Sequence, residues 1–162
     1  MDIIDLDQTL PRLKAAMNVL ANTAFRKGSI VFVIEDERYK HQVDVLAKSL
    51  GQYSLNKSSL TSKITRKRFD YAFFTGEKMP DCFFFFSLHN EFKTQNVQFY
   101  DWANMVHACS IGVVDNDVNP TAMTYRIPSS DDGEDVVNFY CDLIEKVVVR
   151  AYKMRAVFEK SK

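Results

Sequence analysis

The sequence is poor in glycine. Its five glycines, Gly28, Gly51, Gly76, Gly112 and Gly133, are scattered. None builds a G-x-G-x-x-G or Walker A run behind an apolar strand, which excludes the usual backbone cradles for dinucleotides and nucleoside triphosphates. No G-x-S-x-G turn occurs, so the nucleophile elbow of the α/β-hydrolases is excluded too. Cysteine is scarce: Cys82, Cys109 and Cys141 stand far apart without metal-ligand spacing. That pattern suits isolated structural thiols in a reducing compartment. The longest apolar run, CFFFFSL, is too short to cross a membrane. The opening MDIIDLDQT holds three aspartates and no base, so it reads as neither a secretory signal nor an Arg-rich transit peptide. An excess of either charge is also missing, with 21 Lys and Arg against 21 Asp and Glu. The balance argues against a general polyanion binder, but it hides local asymmetry.

What is present is enough for one folded domain spanning residues 1–162. The chain is 46% hydrophobic and 13% aromatic, which supports a sizeable core. Leu10, Leu13, Met17, Leu20, Ala21 and Ala24 recur at helical spacing. Thr9 is expected to cap this helix, Pro11 to fall in its first turn, and Gly28 to take the C′ position after Arg26 and Lys27. SIVFVI predicts a buried strand over 29–34. A second helix is expected over 38–50, with Val43, Leu46, Ala47 and Leu50 inward and Gly51 as its stop, then a short strand over 52–55. Further along, an extended piece at 71–75, a strand in CFFFFSL, a helix over 96–107, a strand in CSIGVVD and an edge strand in TYRIP are expected. The last helix spans about 131–159, where Asp131 and Glu134 have capping-box spacing. Continuous apolar strands alternating with helices give a parallel sheet covered on both faces. The expected class is therefore α/β: a three-layer, flavodoxin-like domain on a mainly parallel five-stranded sheet.

Two constellations carry candidate chemistry. The stretch YSLNKSSLTSKITRKRF contains Lys57, Lys63, Arg66, Lys67 and Arg68 and no acid. It reads as a loop over about 55–70. Its cations suit phosphates and its hydroxyls suit directional contacts, while Tyr53 and Phe69 flank it as stacking surfaces for exposed bases. The bland reading of such a run is a solvated loop. The helical tail, with Arg150, Lys153 and Arg155, is a second candidate. The other constellation is acidic. Asp115 ends an apolar run, Asp117 follows, and His89 ends a neighbouring apolar run. In an open α/β sheet such strand ends hold ligands, and a metal there would activate water. That is the alternative reading: a metal-dependent hydrolase or phosphotransfer module. Against it, DNDVNP is dense in residues that form turns by bonding their own backbone. EDE, from Glu35 to Glu37, is the nearest acid cluster after the first strand and reads equally well as a solvated turn. His41 and His107 fall within expected helices and have no obvious partner.

Six stretches then align in order with one family. DIIDLDQT, RKGSIVFV, LTS, PDCFFFFS, IGVVDNDVNP and YRIPSSDDGEDVVNFY resemble the second protein of the small ribosomal subunit, over about residues 2–155. The departures are specific. Ser58, Ser59, Leu60, Thr61 and Ser62 stand where the family has Gly-Gly-x-Leu-Thr-Asn. Only residues 62–79 separate Thr61 from Pro80, so the helical hairpin of bacterial members is absent. Ser129 and Ser130 replace a Gly-Asn pair. AFRKGSIVFV and VNFYCDLI are most similar to the animal mitochondrial type. The resemblance implies a non-enzymatic structural role with no catalytic residue, no metal and no cofactor. It implies small-subunit ribosomal RNA and other small-subunit ribosomal proteins as partners, and no membrane or small-molecule substrate. It implies the mitochondrial matrix, with a targeting sequence and a family N-terminal region outside this chain. It also implies that Asp115 orders a turn and that Asp131 and Asp132 cap the last helix. On the same basis Lys57, Lys63, Arg66, Lys67 and Arg68 contact RNA, with Arg26 and Lys27 as the second set.

Overall fold

Strands that are apolar at every position need cover on both sides, and the observed sheet has it. The structure, a computed structural model, describes residues 6–34, 36–56, 80–86, 108–114, 124–129 and 133–162. In order these form α1 (Leu6–Phe25), β1 (Ile30–Ile34), a 3-10 turn (Glu37–Tyr39), α2 (Lys40–Leu50), β2 (Tyr53–Asn56), β3 (Cys82–Phe85), β4 (Cys109–Val114), β5 (Tyr125–Pro128) and α3 (Glu134–Lys160). The strand order is β2-β1-β3-β4-β5, and all four pairings are parallel. This is the doubly wound, flavodoxin-like order. The expected elements at 71–75 and 96–107, and the expected loss of the helical hairpin, lie outside the described residues.

Alternation along the strands divides the core. Ile30, Phe32, Ile34, Cys82, Phe84, Ile111, Val113 and Ile127 face α1, α2 and α3 and merge with their apolar stripes. Val31, Val33, Phe83 and Phe85 take the alternate positions and are buried as well. A three-layer fold requires both faces to be dry. On the helix side the phenylalanines form one cluster. Phe84 stands 5.0 Å from Phe86, 6.3 Å from Phe32 and 6.4 Å from Tyr140, centroid to centroid. Tilted and edge-on contacts at these distances are the favoured aromatic geometries. In α2 the inward residues are Val43, Leu46, Ala47 and Leu50, as the spacing predicts, and Gly51 ends the helix in the left-handed conformation (φ 67°).

Three helix ends differ from the sequence expectation. Thr9 does not cap α1, because the helix already begins at Leu6. Its hydroxyl instead donates to the Pro128 carbonyl at 2.6 Å and ties α1 to the end of β5. Pro11 accordingly lies in the second turn, where it has no N–H to return to the carbonyl four residues back. At the other end of α1 the left-handed residue is Lys27 (φ 61°), not Gly28. The Gly28 amide bonds the Thr23 carbonyl at 2.8 Å and the Lys27 amide bonds Ala24 at 3.2 Å. These are the two bonds of a Schellman motif with Lys27 at C′ and Gly28 at C″. Glycine is needed one place later for space: a Cβ there would sit 2.6 Å from Thr23 Cγ2 and 3.1 Å from Asp81 Oδ2. Finally, α3 starts at Glu134 with Gly133 as its N-cap (φ 108°) and no side-chain cap bond. The Asp131–Glu134 capping box is therefore not formed, since Glu134 is the first helical residue. Asp131 and Asp132 lie outside the described residues.

The amino edge of the sheet is closed by two side chains. Asp81 accepts from the Ser29 amide at 2.8 Å, while the Asp81 and Cys82 amides return to the Ser29 carbonyl. Gln52 reaches across from the start of β2. Its Oε1 accepts from the Ile30 amide at 2.9 Å, and its Nε2 donates to the Tyr152 hydroxyl at 2.8 Å. Tyr152 in turn donates to the Leu50 carbonyl at 3.0 Å. One amide thus joins β1, the α2–β2 turn and α3.

The cysteines are less isolated than their spacing suggests. Cys82 and Cys109 are register partners on β3 and β4. The Cys82 Sγ donates to the Phe83 carbonyl at 3.8 Å, and the neighbouring Cys109 side chain raises the Cys82 thiol well above its ordinary range, with burial adding to this. The Cys82 side chain in turn lowers Cys109 against the opposing effect of its partial burial. Burial pushes Cys141 up to about 12, with Asp142 and Glu145 adding to the shift.

Two predictions follow from this packing. Gln52→Leu keeps the volume but strips the Ile30 amide and the Tyr152 hydroxyl of a partner. It should cost about 1–2 kcal/mol in urea unfolding, because a stranded polar group forfeits its desolvation energy. An unchanged midpoint would show that the amide is dispensable. Alkylation with iodoacetamide near neutral pH should modify Cys109 first, because the thiolate is the nucleophile and Cys109 is the thiol with the lowered pKa. Cys141 should follow only at strongly alkaline pH, and Cys82 only on unfolding. Equal rates for all three, read by mass spectrometry, would contradict the pairing.

Candidate nucleic-acid interface

Of the two sets of cations expected to meet RNA, only Arg26 and Lys27 lie among the described residues. The basic loop begins directly after Asn56, at the carboxyl end of edge strand β2. Lys57, Lys63, Arg66, Lys67 and Arg68 themselves lie outside the described residues. Tyr53, offered as a stacking flank, is exposed, but it starts β2 about 10 Å of strand before the loop. Arg26 and Lys27 follow α1 and precede β1, so they belong to the amino edge.

At the amino edge the structure gathers more cations than the local sequence suggested. α1 and α3 run side by side in the same direction and end together, as the ring contact between Phe25 and Phe158 at 5.8 Å shows. Arg155 donates from Nη1 to the Phe25 carbonyl at 2.9 Å and from Nε to Glu159 at 2.9 Å. Lys27 meets the same carboxylate at 3.5 Å. Both helices present unpaired carbonyls and a negative dipole end here, and cations answer both needs. The Arg155 hydrogen bond, then Lys27, holds the exposed Glu159 carboxyl below its ordinary range. Beside these groups lies an open cavity of about 430 Å³, lined by Lys27, Gly28, Gln52, Tyr152, Arg155 and Glu159. Lys27 and Arg155 therefore already serve the fold. Arg26, exposed at the same turn, has no ion pair among the described residues.

A second basic site was not anticipated. Arg12 on α1 and Arg126 on β5 line one hollow of about 230 Å³ with Ala15, Thr124 and Tyr125. β5 is the outer strand of the sheet, so this hollow opens at an edge. Neither arginine is in an ion pair among the described residues. Guanidinium forks of this kind suit phosphate oxygens. No spacing rule brings Arg12 and Arg126 together. Only the docking of α1 against β5 brings them together, so no spacing within either element could have pointed to them.

The carboxyl edge offers less to the enzymatic alternative. At the switch point, where β1 is flanked by β2 and β3, Asp36 is held by its own neighbour. It accepts from the Arg38 amide at 3.0 Å, from Nε at 3.0 and 3.1 Å, and from Nη2 at 2.6 Å. A carboxylate clamped by a guanidinium and capping a turn is poorly placed to bind a cation. Asp115, Asp117 and His89 lie outside the described residues. Among the described residues no three His, Cys, Asp or Glu side chains converge on a point, and no helix is long and apolar enough to cross a membrane.

Comparison with known proteins gives a consistent set of relatives. The family model described as ribosomal protein S2 matches residues 1–68. The chain is 32% identical over 158 residues to the small ribosomal subunit protein uS2m of Bos taurus, covering 98% of this chain and 53% of that protein. It is 27% identical over 177 residues to uS2m of Schizosaccharomyces pombe, covering 99% and 66%. Against uS2 of Gluconobacter oxydans it is 25% identical over 187 residues, covering 91% and 69%. The chain thus spans about half the length of its bovine relative. The bacterial match runs over more positions than this chain has residues, so the bacterial protein carries residues within the matched span that this chain lacks.

Proposed function

We propose that the chain is a member of the ribosomal protein S2 family and a structural constituent of the mitochondrial small ribosomal subunit. One observation carries the reading: similarity to the bovine uS2m along 98% of the chain, with almost no difference in length across the matched span. The suffix of that name, shared by the fission-yeast relative, supports the mitochondrial matrix as the location. The protein's work is to hold small-subunit ribosomal RNA and neighbouring ribosomal proteins in place, without catalysis and without a cofactor.

The basic loop, with Lys57, Lys63, Arg66, Lys67 and Arg68, is the proposed main RNA contact. Arg26, and Arg12 with Arg126, are further phosphate contacts. Each neutralised phosphate releases counterions, so binding through them weakens as salt rises. Asp115 acts in this reading as a turn former after β4. Zero net charge accords with a protein that meets RNA through patches and meets other proteins through the rest of its surface.

Sedimentation of a mitochondrial lysate on a sucrose gradient tests the proposal. The chain should comigrate with small subunits and leave that fraction after RNase treatment. A slow-sedimenting chain indifferent to RNase would overturn the assignment. Charge reversal of Lys63, Arg66 and Lys67 to glutamate should lower incorporation several-fold at low salt, with a smaller loss at high salt, where the phosphate attraction and the new repulsion are both screened. Unchanged incorporation at both salt levels would remove the loop from the interface.

A further inference from the structure

We propose that the groove between α1 and α3 is a docking site for an acidic amphipathic helix of a neighbouring protein. This rests on the scaffold role just proposed and assigns one of its partner surfaces.

Two helices packed side by side usually seal their seam. Here the solvent side of the seam stays open as a groove of about 330 Å³, floored by Met17, Ala21, Phe25, Val147, Ala151 and Met154. Ala21 and Ala151 carry short side chains, which gives the groove its depth. Met154 is 58% exposed, and the apolar surface continues along α3 through Val157 and Phe158, exposed by 69% and 49%. Large apolar side chains exposed in a row mark an interaction surface more than a stray surface residue does. From Met17 to Phe25 the floor is about 12 Å long, room for two turns of a docked helix with anchors at i, i+4 and i+7.

The rim sets the charge of the occupant. Asn18, Asn22 and Arg150 line it, and Lys14 and Lys146 stand one helical turn earlier along the same rows. No acid occurs anywhere from residue 8 to residue 34. From residue 146 to the end there are six bases and one acid, Glu159, which is already bonded to Arg155 and Lys27. An apolar floor inside a rim of cations and amides is complementary to a helix with an apolar stripe flanked by Glu and Asp. RNA fits the groove less well. Bases stack on open aromatic faces, whereas this floor is mostly aliphatic. The nearby Phe158 ring is covered by the Lys162 ammonium at 4.7 Å and tilted against Phe25.

The test places the photo-crosslinker p-benzoylphenylalanine at the exposed Asn18 in the full chain, expressed in mitochondria. After irradiation and gradient fractionation, the cross-linked segment is sequenced by mass spectrometry. The expected partner is another protein, joined through an acid-rich segment with apolar residues at helical spacing. Met154→Glu, a change at a solvent-facing position, should cut the yield at least roughly tenfold, the equivalent of one lost apolar anchor. Cross-linking to RNA, to this chain itself or to a segment without acids would overturn the proposal. So would no cross-link, or a yield that ignores Met154→Glu. The position of the chain on the same gradient tests the scaffold reading separately. A chain outside the small subunits that still cross-links to an acidic helix would sink that reading and keep the groove. A chain inside them without the cross-link would do the reverse.

Discussion

The constraint on which this fold turns is the closure of a sheet that is dry on both faces. Val31, Phe83 and their neighbours on one side, and Phe32 and Phe84 on the other, leave no solvated surface on β1 or β3. Amides at the strand ends still need partners, and a buried amide without one costs about 1–3 kcal/mol. Asp81 and Gln52 meet that demand at the amino edge. Gln52 also recruits Tyr152 and so fixes how α3 approaches α2. The packing of the last helix thus depends on satisfying the first strand, although Gln52 and Tyr152 are distant in sequence.

The same edge explains the arrangement of charge. α1 and α3 both deliver a negative dipole end and unpaired carbonyls there. α3 answers with a polarised sequence: its residues 134–145 hold four acids and no base, while residues 146–162 hold six bases and one acid. The acids lie at the helix's positive end and the bases at its negative end. The last helix is therefore split into an acidic half and a basic half. Arg155 and Lys27 serve the helix ends, and the remaining cations of both helices stay at the surface.

Much of this was legible in the sequence because the strands are unbroken apolar runs and α2 has a clean inward stripe. The parallel sheet and the burial of Val43, Leu46, Ala47 and Leu50 rest on those patterns. What failed was local. Thr9 looked like a cap because it precedes Pro11, but α1 gains another turn and Thr9 pairs with a carbonyl on β5. Gly28 looked like the left-handed residue because glycine usually is, yet Lys27 takes that conformation. The glycine is held in place instead by its closeness to Thr23 and Asp81. Asp131 had the right spacing to Glu134, but α3 begins two residues too late to use it. The cysteines seemed isolated because the distance in sequence between Cys82 and Cys109 conceals their register across β3 and β4. Long-range placements such as Arg12 beside Arg126 leave no periodic trace at all.

A doubly wound sheet commonly uses its switch point for ligands, and here Asp36, the acid described at that point, is already engaged. Asp36 spends its lone pairs on the Arg38 amide and guanidinium, and in doing so starts the turn into α2. Among the described residues, the cations without an ion pair include the arginines at the β5 edge and Arg26, and the open apolar surface is the seam between α1 and α3. All three lie on the outside of the fold, where a macromolecule can reach them and a small substrate would not be enclosed. That distribution is what a scaffold requires. In the proposed role, affinity spread over several shallow contacts would let one chain hold RNA on some faces and protein on another. The cost would be salt sensitivity at the proposed phosphate contacts and at the cationic rim of the seam, while burial of the seam's aliphatic floor is not screened by ions.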